Sequence, residues 1–263
     1  MKKVTIAAMK GGVGKTMIAL NLAGCLAEDS KVLVIDADPQ SNTTSGLGLD
    51  IGNLDRKSLA DILSSNAPDP EEVTIKAPIE KLPNLDVIPG SILLFKTELE
   101  LFSRASREGI LSRYINKHKD FFESYDYVVF DTSPGMGLIN QNAFAAADSI
   151  VLITDVSANG YVGIELFVDL WADLRVDMEL ADNVGAVVVN QLDKRIKMAS
   201  EFLEDCAENE TIAPLLVHQA MPSRVAYKDT EVEAMPINLI HPNTDEHRIV
   251  LDIINELKDK KVF

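Results

Sequence analysis

Short apolar runs alternate with longer amphipathic segments along the whole chain. The runs are too uniformly hydrophobic for half-exposed strands, so they predict parallel strands buried on both faces of a sheet. They span residues 3–9, 31–37, 85–90, 127–132, 149–156, 184–190 and 213–217. The longer segments repeat their apolar residues at helical spacing, and they span 15–29, 106–123, 160–182 and 195–210. The alternation predicts a doubly wound, mostly parallel α/β fold with helices on both faces of the sheet.

This alternation continues without an internal repeat or a low-complexity tract. A chain of 263 residues suits one large domain, so we expect a single domain spanning residues 1–263. The stretch 64–84 contains four prolines, and we interpret it as a loop excursion from that domain and not as a linker between two domains.

Composition narrows the class of protein. Hydrophobic residues make up 46% of the chain and charged residues 25%, as in ordinary globular proteins. No apolar run approaches the roughly 18 residues of a membrane span. The apolar start of the chain meets glycine and lysine too early for a signal sequence. We therefore expect a cytoplasmic protein without integral membrane contact. Cys25 and Cys206 are far apart, so neither belongs to a C-x-x-C metal or redox pair.

Residues 9–16, MKGGVGKT, follow the first predicted strand and open the first predicted helix. This is the context of a phosphate-binding loop G-x-x-x-x-G-K-[ST], although Met9 stands where that pattern has glycine. Backbone N–H groups of such a loop turn toward phosphate, and the helix N-terminus adds its positive dipole end. We expect Lys15 to reach the β- and γ-phosphates and the Thr16 hydroxyl to bind Mg²⁺. The candidate nucleotide-binding residues here are Lys10, Gly11, Gly12, Val13, Gly14, Lys15, Thr16 and Met17.

With its additional lysine, the loop resembles the deviant Walker A loop of the ParA/MinD family of ATPases. The resemblance implies ATP and Mg²⁺ as cofactors. It also implies a homodimer in the ATP state, in which Lys10 reaches the nucleotide held by the second subunit. A lysine at this position can instead be a solvated surface residue. Met17 departs from the family, which usually has a second threonine there, and so removes a hydroxyl contact to the α-phosphate.

Two further stretches extend the resemblance over nearly the whole chain. VLVIDADPQSNTTSGLG is similar to the family's second acidic motif, which implies Asp36 near Mg²⁺ and Asp38 orienting the attacking water. YDYVVFDTSPGMG resembles a Walker B strand, which implies that Asp131 binds Mg²⁺ through water. Carboxylates at the ends of parallel strands face a ligand crevice, although such aspartates also serve as caps. Asn190 aligns with a position that often reads the adenine edge, but an asparagine at a strand end is also a common turn residue.

The segment 221–237 resembles the Soj-like ParA branch, whose members bind chromosomal DNA without sequence preference as ATP dimers. The resemblance implies DNA contacts from Lys194, Arg195, Arg224 and Lys228. A solvated charge run would look the same. A net charge of −16 opposes general nucleic-acid binding. The acids are unevenly spread, however, since residues 141–190 contain eight acids and one base, so a basic edge can persist elsewhere.

These motifs together predict an ATP-dependent switch that partitions a plasmid or chromosome and associates with the nucleoid when ATP is bound. The resemblance implies stimulation by a ParB-like or other adaptor protein with a basic tail. The alternatives are a MinD-like, membrane-associated ATPase and a positioning ATPase for a non-DNA cargo. The C-terminal segment 245–263 has an apolar stripe, but acids are mixed among its lysines. We therefore expect it to pack on the core and not on a membrane.

Overall fold

A six-stranded, parallel sheet forms the centre of the computed structural model, which describes residues 1–193 and 195–263. The strand order is β3-β2-β4-β1-β5-β6, and every neighbouring pair is parallel. The strands are β1 (Lys2–Ala7), β2 (Val32–Ala37), β3 (Leu85–Ile88), β4 (Tyr127–Thr132), β5 (Ser149–Asp155) and β6 (Val184–Asn190). The predicted fold class is confirmed.

Thirteen α-helices lie in the described residues, together with two short 3₁₀ helices at Arg107–Gly109 and Ala213–Leu215. The α-helices are α1 (Lys15–Leu26), α2 (Asn42–Gly46), α3 (Leu59–Ile62), α4 (Pro70–Val73), α5 (Leu94–Leu101), α6 (Ile110–Lys117), α7 (Lys119–Phe122), α8 (Leu138–Ala146), α9 (Ala158–Asp177), α10 (Lys197–Glu208), α11 (Val225–Val232), α12 (Ile237–Ile240) and α13 (Asp245–Asp259).

Both faces of the sheet are buried. Along β4, Val129 packs into the apolar cluster that contains α1 and α13, whereas Val128 and Phe130 pack into the cluster that contains α6 and α8. Alternate side chains of a strand point to opposite faces, so a strand covered on both sides must be apolar throughout. This is why the uniform hydrophobic runs mark the six strands correctly.

The seventh predicted strand, 213–217, is wrong. Residues Ala213–Leu215 form a 3₁₀ helix, and Leu216 then makes only an isolated parallel bridge with Val187 of β6. Pro214 lacks an N–H and has a fixed φ, so this run cannot form a complete ladder beside β6. The predicted helix 106–123 is also interrupted, because it consists of the first 3₁₀ helix, α6 and α7.

The last helix packs on the core, as expected. Its apolar stripe, Val250, Ile253, Ile254 and Leu257, is buried in the same cluster as α1. This packing uses the apolar face that a membrane-binding helix would need to expose.

Helix α1 is also fixed to the chain segment around α12 by polar contacts. The Asn21 side chain is fully buried, and its Oδ1 accepts a hydrogen bond from the N–H of Ile237 at 2.7 Å. A Cβ added at Gly24 would lie only 2.4 Å from Pro236, so glycine permits the close approach of this segment. Asn238 donates through Nδ2 to the carbonyl of Gly24 at 3.1 Å. The helix that follows the phosphate-binding loop is therefore held by residues more than 200 positions later.

The strand order positions the candidate site. Strand β4 lies between β1 and β2, so the loop after β1 sits beside the carboxyl ends of β2 and β4. Asp36 of β2 and Asp131 of β4 are register partners. In open α/β sheets, the crevice at this edge is the usual ligand site.

Candidate nucleotide-binding site

The glycine loop between β1 and α1 is held in place by the end of β6. Asn190 donates through Nδ2 to the carbonyl of Val13 at 2.8 Å, and Gln191 donates through Nε2 to the carbonyl of Gly12 at 3.2 Å. Gly14 has a φ of 83°, and a Cβ there would lie 2.3 Å from Asn190 Nδ2. Only glycine fits at this position, which explains the glycine directly before the helix.

A cavity of about 980 Å³ opens beside the loop. This volume suits a nucleotide-sized ligand. Predicted site residues that line it together are Gly12, Gly14, Lys15, Thr16, Met17, Asp38 and Asn190. Gly11 is exposed and Val13 is buried beneath the loop, so these two lie outside the lining. The side chain of Lys15 is almost fully buried.

Asp131 of β4 lies beside the start of α1. One of its carboxylate oxygens accepts hydrogen bonds from two hydroxyl groups. Thr16 Oγ1 donates to Asp131 Oδ2 at 2.8 Å, and Thr43 Oγ1 donates to the same oxygen at 2.7 Å. The second oxygen, Oδ1, is buried and has no hydrogen-bond partner in the described part of the chain. Burial raises the pKa of Asp131 to about 6, although Thr43 and the nearby Lys15 act to lower it.

Asp36 is also completely buried, and α2 supplies its partners. Its Oδ2 accepts hydrogen bonds from the N–H of Thr44 at 2.8 Å and from Thr44 Oγ1 at 2.6 Å. Its Oδ1 accepts from the N–H of Asp38 at 3.1 Å. Burial, followed by the charge of Asp131, raises the pKa of Asp36 to about 7. A cation between or beside two buried carboxyl groups stabilises their ionised forms.

The chemistry of these groups fits Mg²⁺. Magnesium prefers carboxylate, hydroxyl and water oxygens and is usually held by one or two carboxylates together with substrate phosphates. Asp131 Oδ1 is a buried oxygen without a partner, and the hydroxyl of Thr16 lies next to it on the same carboxylate. No cluster of three or more His, Cys, Asp or Glu able to hold a metal occurs in residues 1–193 and 195–263. Asp131 and Thr16 together offer few protein oxygens, which suits a metal that also binds phosphate.

Asp38 is buried, yet it lines the cavity and also makes a turn contact. Its Oδ1 accepts a hydrogen bond from the N–H of Gln40 at 2.9 Å, and its carbonyl accepts one from the N–H of Ser41 at 2.8 Å. The carboxylate also lines the cavity. The turn contact occupies part of one oxygen, so acceptor capacity remains for another group. Orientation of the attacking water stays a prediction.

The extra lysine of the loop points away from the cavity and pairs with Asp155 at the end of β5. Lys10 Nζ lies 2.6 Å from Asp155 Oδ2. Ser157 Oγ donates to the other carboxylate oxygen at 2.7 Å and accepts from the N–H of Gly160 at 2.9 Å, which caps α9. Burial opposes it, but the hydrogen bonds from Lys10 and Ser157 hold the pKa of Asp155 below its usual range. Within one subunit, Lys10 is therefore engaged outside the nucleotide cavity.

Asn190 is committed to the backbone in this structure. Besides the bond from Nδ2 to Val13, its Oδ1 accepts from the N–H of Gln191 at 2.8 Å. The amide lines the cavity, but its Nδ2 already holds the loop and its Oδ1 is bonded to the adjacent backbone. Recognition of the adenine edge by Asn190 stays a prediction, whereas support of the loop is a role that the sequence did not suggest.

Two of the candidate DNA-binding cations, Arg195 and Arg224, lie on adjacent loops, and each is paired with an acid. Leu192 and Pro222 form an isolated parallel bridge, so the loops before Arg195 and Arg224 run side by side. Arg195 makes a two-pronged contact with Asp193, with distances of 2.8 and 2.7 Å. Arg224 Nη1 lies 2.7 Å from Glu246 Oε1. Exposed Lys228, like Arg224, lines the cavity wall. Lys194 lies outside the described residues.

Sequence reasoning missed three residues that organise the site. Thr43 and Thr44 follow the predicted acidic motif directly, yet their contacts with Asp131 and Asp36 depend on the short helix α2. Asp155 ends a strand, as Asp36 and Asp131 do. That shared position was a usable signal.

The parallel sheet, the glycine loop capped by a helix and the buried aspartates define a P-loop nucleotide-binding protein. A family model described as an AAA domain matches residues 1–182. The sporulation initiation inhibitor protein Soj of Bacillus subtilis (strain 168) is 30% identical over 257 residues, which cover 97% of this chain and 98% of Soj. The chain belongs to the ParA/MinD family of deviant Walker A ATPases, close to its Soj-like ParA members.

Solved structures share the fold. Apo McdA of Cyanothece has a TM-score of 0.85 at 22% identity, with 98% of this chain and 99% of McdA covered. A Borrelia burgdorferi B31 protein assigned to plasmid partition, solved with AMPPNP bound, has a TM-score of 0.80 at 22% identity, with 98% and 99% covered. The family is one of partitioning and positioning ATPases. No helix in the described part of the chain is long and apolar enough to cross a membrane.

Proposed function

We propose that this chain is a Mg²⁺-dependent ATPase that dimerises when it binds ATP and partitions DNA. The observation that carries the proposal is the buried Asp131, which lies beside the Thr16 hydroxyl and the glycine loop and whose Oδ1 has no hydrogen-bond partner within residues 1–193 and 195–263. A buried carboxylate without a partner is costly unless a ligand or an ion completes it. ATP and Mg²⁺ supply both the phosphate and the cation that the site fits.

Each residue of the site then has a role in phosphoryl transfer to water. The glycine loop and Lys15 bind the phosphates and offset their charge. Thr16, Asp131 and Asp36 would hold Mg²⁺, which acts as a Lewis acid on the phosphoryl oxygens when bound. Asp38 orients the attacking water with the carboxylate oxygens that its turn contact leaves available.

Dimerisation is supported by the position of Lys10. A lysine held 2.6 Å from Asp155 and outside its own cavity contributes little to its own nucleotide. If it leaves Asp155 and reaches the nucleotide of a second subunit, ATP bridges the two chains and its hydrolysis releases them.

Light scattering with Mg·ATP tests this step. Wild type should form a dimer with ATP and a monomer with ADP. Lys10→Ala should still bind ATP but hydrolyse it poorly, whereas Lys96→Ala, which removes an exposed lysine paired with Glu100, should behave like wild type. A wild type that stays monomeric in saturating Mg·ATP would contradict the cross-subunit role of Lys10.

Chemistry is tested separately from binding through Asp38. Asp38→Ala should keep its nucleotide affinity and accumulate as an ATP-bound dimer, because it no longer orients the water but retains the phosphate contacts. Hydrolysis by Asp38→Ala at the wild-type rate would reduce Asp38 to a turn residue.

The proposed cargo is DNA, bound without sequence preference by the ATP dimer. Arg195 and Arg224 lie on adjacent loops, and a dimer would present them twice, which adds avidity to a weak electrostatic contact. A mobility shift with nonspecific duplex, with ADP and with a slowly hydrolysed ATP analogue, tests this cargo. No shift with either nucleotide would favour a non-DNA cargo, and nucleotide-dependent pelleting with liposomes would favour a MinD-like role.

The proposed partner is a ParB-like or other adaptor protein with a basic tail that stimulates hydrolysis. The acidic character of this chain, with a net charge of −16, supports attraction of such a tail. Association with the nucleoid in the ATP state would follow from DNA binding.

A further inference from the structure

The outer side of α9 carries exposed apolar and acidic side chains that do not belong to the buried core clusters. At about 100° per residue, seven exposed positions fall within an arc of about 120° along about four turns of this helix. We call them the α9 face, and they are Val162, Leu166, Asp169, Leu170, Asp173, Val176 and Asp177. Val162 is 56% exposed and Val176 is 65% exposed. Val162, Leu166 and Leu170 follow one another at four-residue spacing and form an exposed apolar stripe, which marks an interaction site more often than scattered single residues do.

The helix does not need these apolar residues for its own packing. Its inner side is anchored by Ile164, Phe167 and Trp171, all of which are buried. Polar residues at the outer positions would leave that packing intact. The apolar residues of the α9 face therefore lack a role in the subunit itself.

The charge of the α9 face has one sign. Asp169, Asp173 and Asp177 make no ion pair among residues 1–193 and 195–263. Arg175 is the single basic residue of α9. It lies on another side of the helix and approaches Asp182, with Nη2 3.7 Å from Oδ2. The neighbouring α10, joined to α9 by a hydrogen bond from Asn209 to the Tyr161 hydroxyl, adds further exposed acids. These are Glu204, Asp205 and Glu208, whereas Glu201 pairs with Lys197 of the same helix at 2.8 Å.

The charge decides what can cover this surface. A second copy packed face to face would set each row of aspartates against the same row, because a two-fold interface is self-complementary. DNA and anionic lipid would be repelled. We propose that the α9 face is the docking site for a basic amphipathic helix of another protein, with its apolar residues on the stripe and its lysines or arginines on the aspartates. This inference rests on the proposed function, because it gives the stimulating partner a docking position on α9.

The first turns of α9 adjoin the phosphate-binding loop, so a helix bound to the α9 face would lie close to the loop that carries Lys10. A Cβ added at Gly163 would lie 3.6 Å from the Met9 Cβ, directly before Lys10 in the chain. Ser157 caps α9 and also bonds the carboxylate that holds Lys10. A helix docked along the α9 face would therefore contact the same helix whose N-terminal cap bonds the carboxylate that holds Lys10.

A binding experiment with the full chain and no nucleotide tests the docking. The probe is a synthetic peptide of leucine and lysine, matched to α9 at 20 residues, with its leucines on one helical face. A scrambled peptide of the same composition reports charge attraction alone. Fluorescence anisotropy should show binding of the amphipathic peptide about tenfold tighter than that of the scrambled peptide, with affinity falling as salt rises.

Two variants locate the site. Asp169→Lys with Asp173→Lys should weaken binding about tenfold, and Leu166→Gln should weaken it with little change in salt dependence. The matched control is Asp252→Lys with Asp259→Lys on α13, which makes the same change in net charge at two exposed positions and should stay within about twofold of wild type. Circular dichroism verifies that each variant is folded.

Other outcomes overturn the proposal. Equal weakening of binding in both double variants would show nonspecific charge attraction. A concentration-dependent dimer without nucleotide that Leu166→Gln abolishes would assign the α9 face to a second copy, and anionic vesicles that bind through Leu166 would assign it to a membrane. The test contains no nucleotide. Its result therefore does not depend on whether the protein hydrolyses ATP or dimerises with ATP.

Discussion

Asp36 and Asp131 are register partners on adjacent parallel strands, and both carboxyl groups are completely buried. Burial raises the pKa of Asp36 to about 7 and the pKa of Asp131 to about 6. The two aspartates therefore cost the folded state little when they are protonated or when a cation is present. They destabilise the folded state when both are ionised without a cation. Without its ligand, the ion-binding site therefore lowers the free energy of unfolding.

Stability without nucleotide and Mg²⁺ should fall as the pH rises. Both pKa values lie above those of an unfolded chain, so the folded state binds more protons than the unfolded state between about pH 4 and pH 7, and its free energy of unfolding decreases through that window. Asp36→Asn stays neutral, so its stability relative to wild type should increase by about 2 kcal/mol from about pH 5 to pH 8.

Urea unfolding in a chelating buffer at the two pH values measures this difference. Asp193→Asn is the control, because Arg195 lowers the pKa of that exposed carboxyl to about 2, below the tested range. Parallel pH profiles for wild type and Asp36→Asn would contradict the ionisation cost.

Thr43→Val should weaken the use of Mg²⁺. The variant removes one of the two hydroxyl donors to Asp131 Oδ2 and keeps the shape of the side chain. Removal of a hydrogen bond to a metal-binding carboxylate typically costs at least about tenfold in metal affinity, so the Mg²⁺ midpoint for ATP hydrolysis should rise by about tenfold. Thr43→Ser retains the hydroxyl and should stay near wild type. Identical midpoints for the two variants would refute the role of the hydroxyl.

Asp155→Asn should ease ATP-dependent dimerisation. Asparagine keeps an oxygen for Ser157 but removes the charge that holds Lys10. Because Lys10 is partly exposed, the pair contributes modestly, and the ATP concentration for half-maximal dimerisation should fall about threefold. Light scattering measures the midpoint, with Asp148→Asn, which weakens an unrelated pair with Lys3, as the control. A higher midpoint for Asp155→Asn would mean that Asp155 assists Lys10 in the dimer.

DNA binding should weaken when Arg195 is replaced and strengthen when Asp193, its ion-pair partner, is neutralised. Arg195→Ala and Arg224→Ala should each weaken binding to any duplex and lower the salt slope by roughly one for each phosphate that is no longer neutralised. Asp193→Asn releases Arg195 and should strengthen binding about twofold or more. Asp252→Asn makes the same change in net charge elsewhere and should have a smaller effect. Equal gains for these two variants would indicate net charge alone.

The sequence was most informative where one local rule decides the structure. A strand buried on both faces must be apolar, so the six sheet strands are readable, and a left-handed residue against another side chain must be glycine, as at Gly14. The aspartates near the ends of β2 and β4 were predicted to face a ligand crevice, because such a crevice opens at the carboxyl ends of parallel strands. Pro214 shows the converse, since a missing N–H overrides an apolar run.

Contacts between distant segments were beyond such reasoning. No local pattern pairs Arg224 with Glu246, or the Asn190 amide with the carbonyl of Val13. Both depend on how the helices and loops pack after the sheet has formed. The same holds for Thr43, whose hydroxyl reaches Asp131 across 88 positions of chain.

The attachment of α1 to the α12 segment also constrains when the protein becomes competent during its synthesis. The ribosome delivers the complete glycine loop within the first sixteen residues, but the N–H that satisfies buried Asn21 belongs to Ile237. Contacts of such long sequence separation form late. Nascent chains should therefore acquire full nucleotide affinity only after Ile237 has left the ribosome, which delays the switch long after the glycine loop itself is complete.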